Sequence, residues 1–564
     1  MFLPTTRQEL ETLGWDGLDV ILVSGDTYID SPFIGVSVIG QVLWQAGYRV
    51  GVIAQPDIHS DQDIRRLGEP RLFWGVSGGC MDSMVANYTA TQRKKKRDDL
   101  TPGGRNDRRP DRAAIVYTNL IKRYSKDTQP IVLGGVEASL RRVAHYDFCS
   151  DRVRRSILFD AKADLLVYGM GEKTVVELAR RLAAGQDVHD VRGLCYISRE
   201  KPDGYIELPA YQTVTQDKHA FIDMFHTFYR HNDPLTAQGL CQRQDTRYLV
   251  QNPPAPYLTQ EELDAVYDMD FERDLHPFYR QQGPVKALET IRFSLPTHRG
   301  CYGECNFCSI AVHQGRTVRW RSQASILAEA RRMTQYPDFK GYLYDVSGPT
   351  ANMYGFECHK KTQHGSCADK RCLYPQVCPQ LPVDHRRQIE LLKALSEIEG
   401  VKKVFVASGV RYDLLLADEQ YGRRYLEQVV RHHVSGQMKV APEHTQDRVL
   451  EKMGKPGTES LLAFKDLFYE LTRKAGKEQY LTYYLIAAHP GCTARDMKKL
   501  ATFVRQELGI RPEQVQIFTP TPSTYSSLMY YTEMDPFTRK KIFVEKRAAG
   551  KYRQKSLVVR KRRP

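Results

Sequence analysis

Residues 290–310 read "TIRFSLPTHRGCYGECNFCSI". The apolar run "TIRFSL" at 290–295 has the composition of a buried strand. A loop carrying Cys301, Cys305 and Cys308 follows it directly. Thiolates are the usual ligands of iron–sulfur clusters, and soft sulfur also selects zinc. The spacing is C-x3-C-x2-C, with Phe307 just before the last cysteine. Gly300 and Gly303 let the loop wrap tightly. Three protein ligands on a four-iron cluster leave one iron open, much as catalytic zinc keeps an open position. The amine and carboxylate of a methionine could fill it. The competing readings of the bare motif are a zinc knuckle and chance spacing.

Outward from this loop the chain alternates strand and helix. Strands are expected at 290–295, 341–346 "GYLYDV", 403–408 "KVFVAS", 437–440 "QMKV", 480–486 "YLTYYLI" and 514–518 "QVQIF". Helical spacing puts Leu461, Phe464, Phe468 and Leu471 on one face, and Met497, Leu500, Val504 and Leu508 on another. Six such units are too few for a full eight-stranded barrel, so an open partial (β/α)6 barrel over 288–525 is expected, with its chemistry at the strand carboxyl ends.

The N-terminal part alternates too. "DVILVS" (19–24), "RVGVIA" (49–54), "RLFWGVSGG" (71–79), "PIVLGGVEAS" (130–139) and "ADLLVYGMGE" (163–172) each carry a strand. Residues 1–194 are therefore read as a doubly wound, flavodoxin-like α/β domain. Residues 195–287, rich in Pro and aromatics toward their end, read as an irregular linker. Residues 526–564 read as a basic tail.

The C-x3-C-x-aromatic-C loop after the first strand of a partial barrel resembles the signature of the radical SAM superfamily. "GDTYIDSPFIG" (25–35), "YTATQRKKKRDDLTPGG" (88–104), "RPDRAAIVYTNLI" (109–121), "PIVLGGVEASLRRVAHYDF" (130–148) and "SGPTANMYG" (347–355) extend the likeness over nearly the whole chain, to the YgiQ family. The resemblance implies a [4Fe–4S] cluster on Cys301, Cys305 and Cys308 and S-adenosylmethionine as cofactor. It implies reductive cleavage of that cofactor to a 5′-deoxyadenosyl radical, on an unknown substrate, with RNA or protein modification as candidates. It also implies a reductant protein such as flavodoxin or ferredoxin. "YDVSGPTANMYG" (344–355) stands where the superfamily has its Gly-rich loop, with Ser347-Gly348 and no acid in place of Gly-Gly-Glu. Ser347, Gly348, Ser408, Arg411 and Lys439 are the expected cofactor contacts. "AAHPGCT" (487–493) resembles a Pro-Gly-Glu-Thr stretch, with Cys492 replacing Glu. A non-catalytic iron–sulfur or nucleic-acid-binding protein with the same fold is the alternative.

Many members of that superfamily carry a cobalamin-binding N-terminal domain, whose Asp-x-His-x-x-Gly places a His on cobalt. Here Asp30-Ser31-Pro32-Phe33-Ile34-Gly35 has Pro32 at that place, and proline cannot ligate. Cobalamin is not expected, and a scaffold or substrate role for the domain is the preferred reading.

A second cysteine group, Cys358, Cys367, Cys372 and Cys378, lies in a long insertion at 351–384 with His359 and His364, and His385 just beyond it. Loops of that length are usually functional. The spacing C-x8-C-x4-C-x5-C is not a standard zinc pattern, so zinc, an auxiliary cluster and four plain thiols all stay open.

Bulk properties fit this picture. Seven of twelve cysteines lie between Cys301 and Cys378, which in a leaderless chain speaks for metal rather than disulfides. No signal peptide or apolar span is visible, and a cytoplasmic protein without membrane contact is expected. The net charge of +15 is concentrated at 539–564, which hold twelve Lys/Arg and one Glu. Such a segment is either a solvated terminus or an RNA contact.

Overall fold

A computed structural model describes residues 1–559. The chain divides into two compact units, one of residues 1–257 and 265–292, the other of 258–264 and 293–559.

In the first unit, fully buried apolar runs make the strands that the sequence predicts. They are Val20–Ser24, Val50–Ala54, Phe73–Ser77, Ile131–Gly134 and Leu165–Val167, all parallel. From one edge inward the order is Val50–Ala54, Val20–Ser24, Phe73–Ser77, Ile131–Gly134, Leu165–Val167. Numbered along the chain this is 2-1-3-4-5, the flavodoxin-like order. Runs buried on both faces need helices on both, and amphipathic segments such as Gly35–Gln45 and Glu172–Ala183 supply them.

Residues 195–251 are not an irregular linker. Leu194–Ser198 pairs antiparallel with Leu165–Val167, and Arg247–Gln251, Leu240–Gln244 and Ile206–Leu208 extend the same sheet to nine strands. The signal was weak because polar residues interrupt the apolar ones in these strands. Gln242, Gln244 and Gln251 are buried in them by bonding main chain and other side chains, not by apolar character.

In the second unit, six strand segments follow one another in sequence order. Leu295–Pro296 pairs in parallel with Val346–Ser347, and Tyr342–Leu343 with Lys403–Val404. The N–H of Val406 donates to His433 O (3.0 Å) and that of Val410 to Lys439 O (3.0 Å). Gln437–Glu443, Tyr480–Ala487 and Gln516–Ile517 complete the parallel series. The first strand is shorter than expected, because Leu288–Ile291 is helical. One face packs Leu343, Val404, Met438, Val440 and Leu481 against helices that bury Leu461, Phe464, Phe468, Leu500 and Val504. On the other face Tyr342, Tyr344, Tyr480 and Tyr484 stay exposed.

The segment read as a basic tail is largely ordered. Tyr525–Thr532 and Ala548–Ser556 are helices of this unit, and Lys551 is buried with its Nζ donating to Tyr530 Oη at 3.0 Å. "RKRRP" at 560–564 lies outside the described residues. No helix among the described residues is long and apolar enough to cross a membrane.

Candidate metal centre

The three-cysteine loop hangs from a short antiparallel pair, His298–Arg299 with Arg319–Trp320. Gly300 has φ +80°, and a side chain there would strike the main chain of Thr317, so only glycine turns the corner. The loop is fixed at three further points. Cys301 N–H donates to Gly315 O (3.4 Å), Cys308 N–H to Cys305 O (3.0 Å) and Asn306 N–H to Met453 O (2.9 Å).

Cys301 and Cys305 come together around Gly303, and Cys308 is near enough for both of their sulfurs to act on it. A Cβ at Gly303 would lie 3.3 Å from Cys301 Sγ, 3.6 Å from Cys305 Sγ and 3.2 Å from Arg411 Nη1. Gly303 N–H donates to Cys301 Sγ at 3.3 Å, and Arg411 Nη1 donates to Cys305 Sγ at 3.7 Å. Burial pushes the Cys301 thiol up, and burial with the neighbouring sulfurs pushes Cys308 up to about 12. Metal binding would have to displace these protons, as it does at thiolate sites generally.

Among the described residues no three His, Cys, Asp or Glu side chains converge as a single metal ion requires. Thiols set around a glycine cradle, with N–H donors and a guanidinium on the sulfurs, suit a larger anionic body instead. The residues present fit a cluster held by three cysteines.

The loop has a charged underside. Glu304, at φ +46°, sets its carboxylate 3.7 Å from Arg316 Nη1 and 3.6 Å from Lys361 Nζ, all buried. Lys361 also donates to Arg316 O (2.7 Å) and stands over the Tyr302 ring. Lys361 comes from the cysteine-rich insertion. Cys358 and Cys372 are buried there with Tyr302, Met353 and Phe356, and burial lifts the Cys372 thiol to about 11. Cys367 and Cys378 are half-buried. A zinc ion on these four thiols has no preformed site here.

Of the expected cofactor contacts, Ser347 and Ser408 are tied together. Both hydroxyls reach Asp345 Oδ2, at 2.8 and 2.5 Å, and their oxygens lie 3.0 Å apart. Asp345 Oδ1 accepts the N–H groups of Ala407 (2.8 Å) and Ser408 (3.2 Å). Gly348 lies against His298, where a Cβ would fall 2.5 Å from Nε2. That nitrogen is buried with no partner, and burial lowers the imidazole to about 3. Arg411 is paired with Asp413 through Nε (2.8 Å) and Nη2. Lys439 is exposed.

Sequence reasoning missed Asp345, Asn352, Asp418 and Glu443, and it set His385 beside the second cysteine group. Asn352 Oδ1 accepts Arg411 N–H (2.8 Å) while its Nδ2 donates to Arg411 O (3.0 Å) and contacts His385 Nε2 (3.1 Å); His385 Nδ1 bonds Asp418 (2.8 Å). This chain fixes the arginine beside Cys305. Glu443 (φ +66°) is buried, and burial raises its carboxyl against the pull of Lys455 and Arg411. Asp345 and Asn352 stand inside the quoted motif at 344–355; nothing local marked Asp418 or Glu443. Cys492 is fully buried, 3.6 Å from His444 Nε2, and its thiol donates to Gln554 Oε1 at 3.5 Å.

The strand ends of the first unit carry buried ion pairs and main-chain bonds. Arg109 bridges Asp26 (2.5 Å) and Asp98 (3.0 Å), all buried. Asp26 also accepts Cys80 N–H (2.6 Å), and Gln55 spans Gly25 O (2.9 Å) and Thr101 Oγ1 (2.7 Å). Glu137 accepts the N–H groups of Ser83 (2.7 Å) and Ala114 (3.3 Å).

Three kinds of likeness bear on this arrangement. The Radical SAM N-terminal family matches residues 2–294. A UPF0313 protein of Fusobacterium nucleatum is 55% identical over 563 residues, covering 100% of this chain and 99% of that one. A UPF0313 protein of Thermotoga maritima is 49% identical, again over 100% and 99%. Among solved structures, the radical S-adenosylmethionine methyltransferase TsrM of Kitasatospora setae, with cobalamin and a [4Fe–4S] cluster bound, aligns with a TM-score of 0.50 at 14% identity, over 89% of this chain and 76% of that one. The cobalamin-dependent S-adenosylmethionine radical enzyme OxsB, with aqua-cobalamin bound, aligns with a TM-score of 0.50 at 13% identity, over 92% and 55%. These two share the fold. By its full-length relatives and its matching N-terminal half, the chain belongs to the UPF0313, YgiQ-like family of the radical SAM superfamily.

Proposed function

We propose that this chain is a radical SAM iron–sulfur enzyme in which Cys301, Cys305 and Cys308 hold a [4Fe–4S] cluster in a six-stranded partial barrel. The observation that carries the reading is the cradle at Gly303, with two thiols and the Arg411 guanidinium around it. When bound and reduced, the cluster supplies the electron that splits the sulfonium of S-adenosylmethionine. The chain's own residues do the rest. Arg411 offsets thiolate charge at Cys305, and Asp413 with the Asn352–His385–Asp418 chain holds its position. The Asp345–Ser347–Ser408 group fixes the adjoining strand ends, and Gly348 leaves the His298 side of the loop open. Lys439, on the exposed face, is a cation for a carboxylate.

Cobalamin stands outside this reading. The cobalamin-bound neighbours weigh toward it, but Pro32 offers no ligand, and Arg109, Asp26 and Glu137 at the first unit's strand ends are buried in bonds of their own. Hydroxocobalamin should elute free of the protein on gel filtration. The four insertion thiols are read as structural, with an auxiliary cluster as the outcome that iron analysis would reveal. A flavodoxin- or ferredoxin-type protein is the expected electron donor, and the basic segment after 539 the expected RNA contact.

Anaerobically reconstituted protein with S-adenosylmethionine and dithionite should form 5′-deoxyadenosine. If none forms, with or without cell extract, the chain is a non-catalytic iron–sulfur protein.

A further inference from the structure

The second unit has a cavity of about 490 Å³ between the helix Arg386–Ser396, the start of the strand Lys403–Val404 and the turn Val429–His433. That size is within the range of small-ligand sites. Its walls carry Lys393, Lys402, Lys403, Arg424, Arg431 and His432 against only Glu397 and Glu427. Arg431 is paired with Glu427 at 2.9 Å. Lys393, Lys402, Lys403 and Arg424 have no carboxylate partner among the described residues.

The turn Val429–His433 is π-helical, a form frequent at functional sites. It is held open by His433 Nδ1 against Val404 O at 2.9 Å. Lys477 is bonded to Arg431 O, adding a further cation beside the cavity. Burial lowers His432 and Lys477, and the charges of Lys403 and Arg431 lower both further. Positive charge here is in surplus. The carbonyl ends of the two helices offset part of it, but several separate cations around one cavity match a ligand with several anionic groups.

We propose that this cavity binds the phosphate groups of a polyphosphorylated ligand, free or within a nucleic-acid strand. It lies at the amino-terminal end of the strand whose other end leads to Ser408, about 17 Å away along an extended chain. The site is therefore separate from the thiols, and a role in anchoring a ligand remote from the chemistry follows. The inference does not depend on the cluster.

Calorimetric titration of the full-length protein with tripolyphosphate tests it. Wild type should bind, with affinity falling as salt rises from 50 to 200 mM. K402E/K403E should bind at least tenfold more weakly, with unchanged circular dichroism and iron content. K393E/R424E, on helix surfaces away from the sheet, guards against a folding defect and should show the same loss. Absence of binding, or equal binding by both variants, overturns the proposal. Displacement of tripolyphosphate by ATP identifies a free nucleotide, and displacement by a single-stranded RNA identifies a strand backbone; each supports the proposal. Displacement by neither marks an adventitious ion only, and overturns it.

Discussion

The two parallel sheets finish their strands in opposite ways. In the first unit Asp26, Glu137, Arg109 and Asp98 fill the carboxyl ends with buried ion pairs and main-chain bonds. In the second, two thiols and the Arg411 guanidinium surround a glycine, with Cys308 close by. Both folds favour binding at this edge. The difference shows that topology offers a place, and side chains decide whether it stays open. Strand ends occupied by paired charges add to stability through that pairing; ends that bear thiols beside N–H donors gain more from a ligand.

The comparison can be broken most directly at the thiols. C301A/C305A/C308A should lose essentially all reconstituted iron and sulfide, and the brown absorbance with them. Iron at the wild-type level, about four per chain for one cluster, would put the metal elsewhere. The next largest effect belongs to the closed edge. R109M strands two buried carboxylates and should cost about 3–5 kcal/mol in urea unfolding, while iron binding in the folded fraction stays unchanged. If iron falls with stability, the two edges are not independent. C358A/C372A should cost only about 1–2 kcal/mol, as small buried side chains do, and leave iron at one cluster per chain. A fall by half would assign an auxiliary cluster to the insertion.

The smallest effect should be common to both units. Burial holds His145 in the first and His444 in the second at about 4, below the ordinary 6.5. The unfolded chain therefore takes up protons first as pH falls. The stability these neutral rings carry is complete above pH 6.5 and is lost progressively toward pH 4. At pH 5.5 the loss is about 1 kcal/mol for each. Melting temperatures at pH 7.5 and 5.5 should show it, and H145Q or H444Q should each reduce the difference.

Much of this was legible in the sequence where the deciding contacts are local. Three cysteines within eight residues announce a metal loop, and Leu461, Phe464, Phe468 and Leu471 repeat with the helix and are all buried. The short strand Lys403–Val404 was found because apolar residues surround it. What stayed hidden depends on distant partners. Lys361 reads as one more surface lysine until Glu304, 57 positions earlier, receives it. His385 looks like a metal candidate beside the cysteines, yet it is bound to Asp418 and Asn352. The strands 206–208, 240–244 and 247–251 lack a clear apolar period, since buried glutamines held by side-chain bonds stand among their apolar residues.

The Gln554 contacts give the second unit a timetable. Its side chain accepts Ala488 N–H (3.0 Å) and donates to Cys492 O (3.1 Å), closing the bend after the strand Tyr480–Ala487. Gln554 follows Cys492 by 62 positions. At a translation speed of roughly 5–20 residues per second, the bend waits about 3–12 s for its closing partner. During that interval the Cys492 thiol lacks the amide that later covers it. Oxidants that reach the nascent chain would therefore find a cysteine that the finished protein conceals.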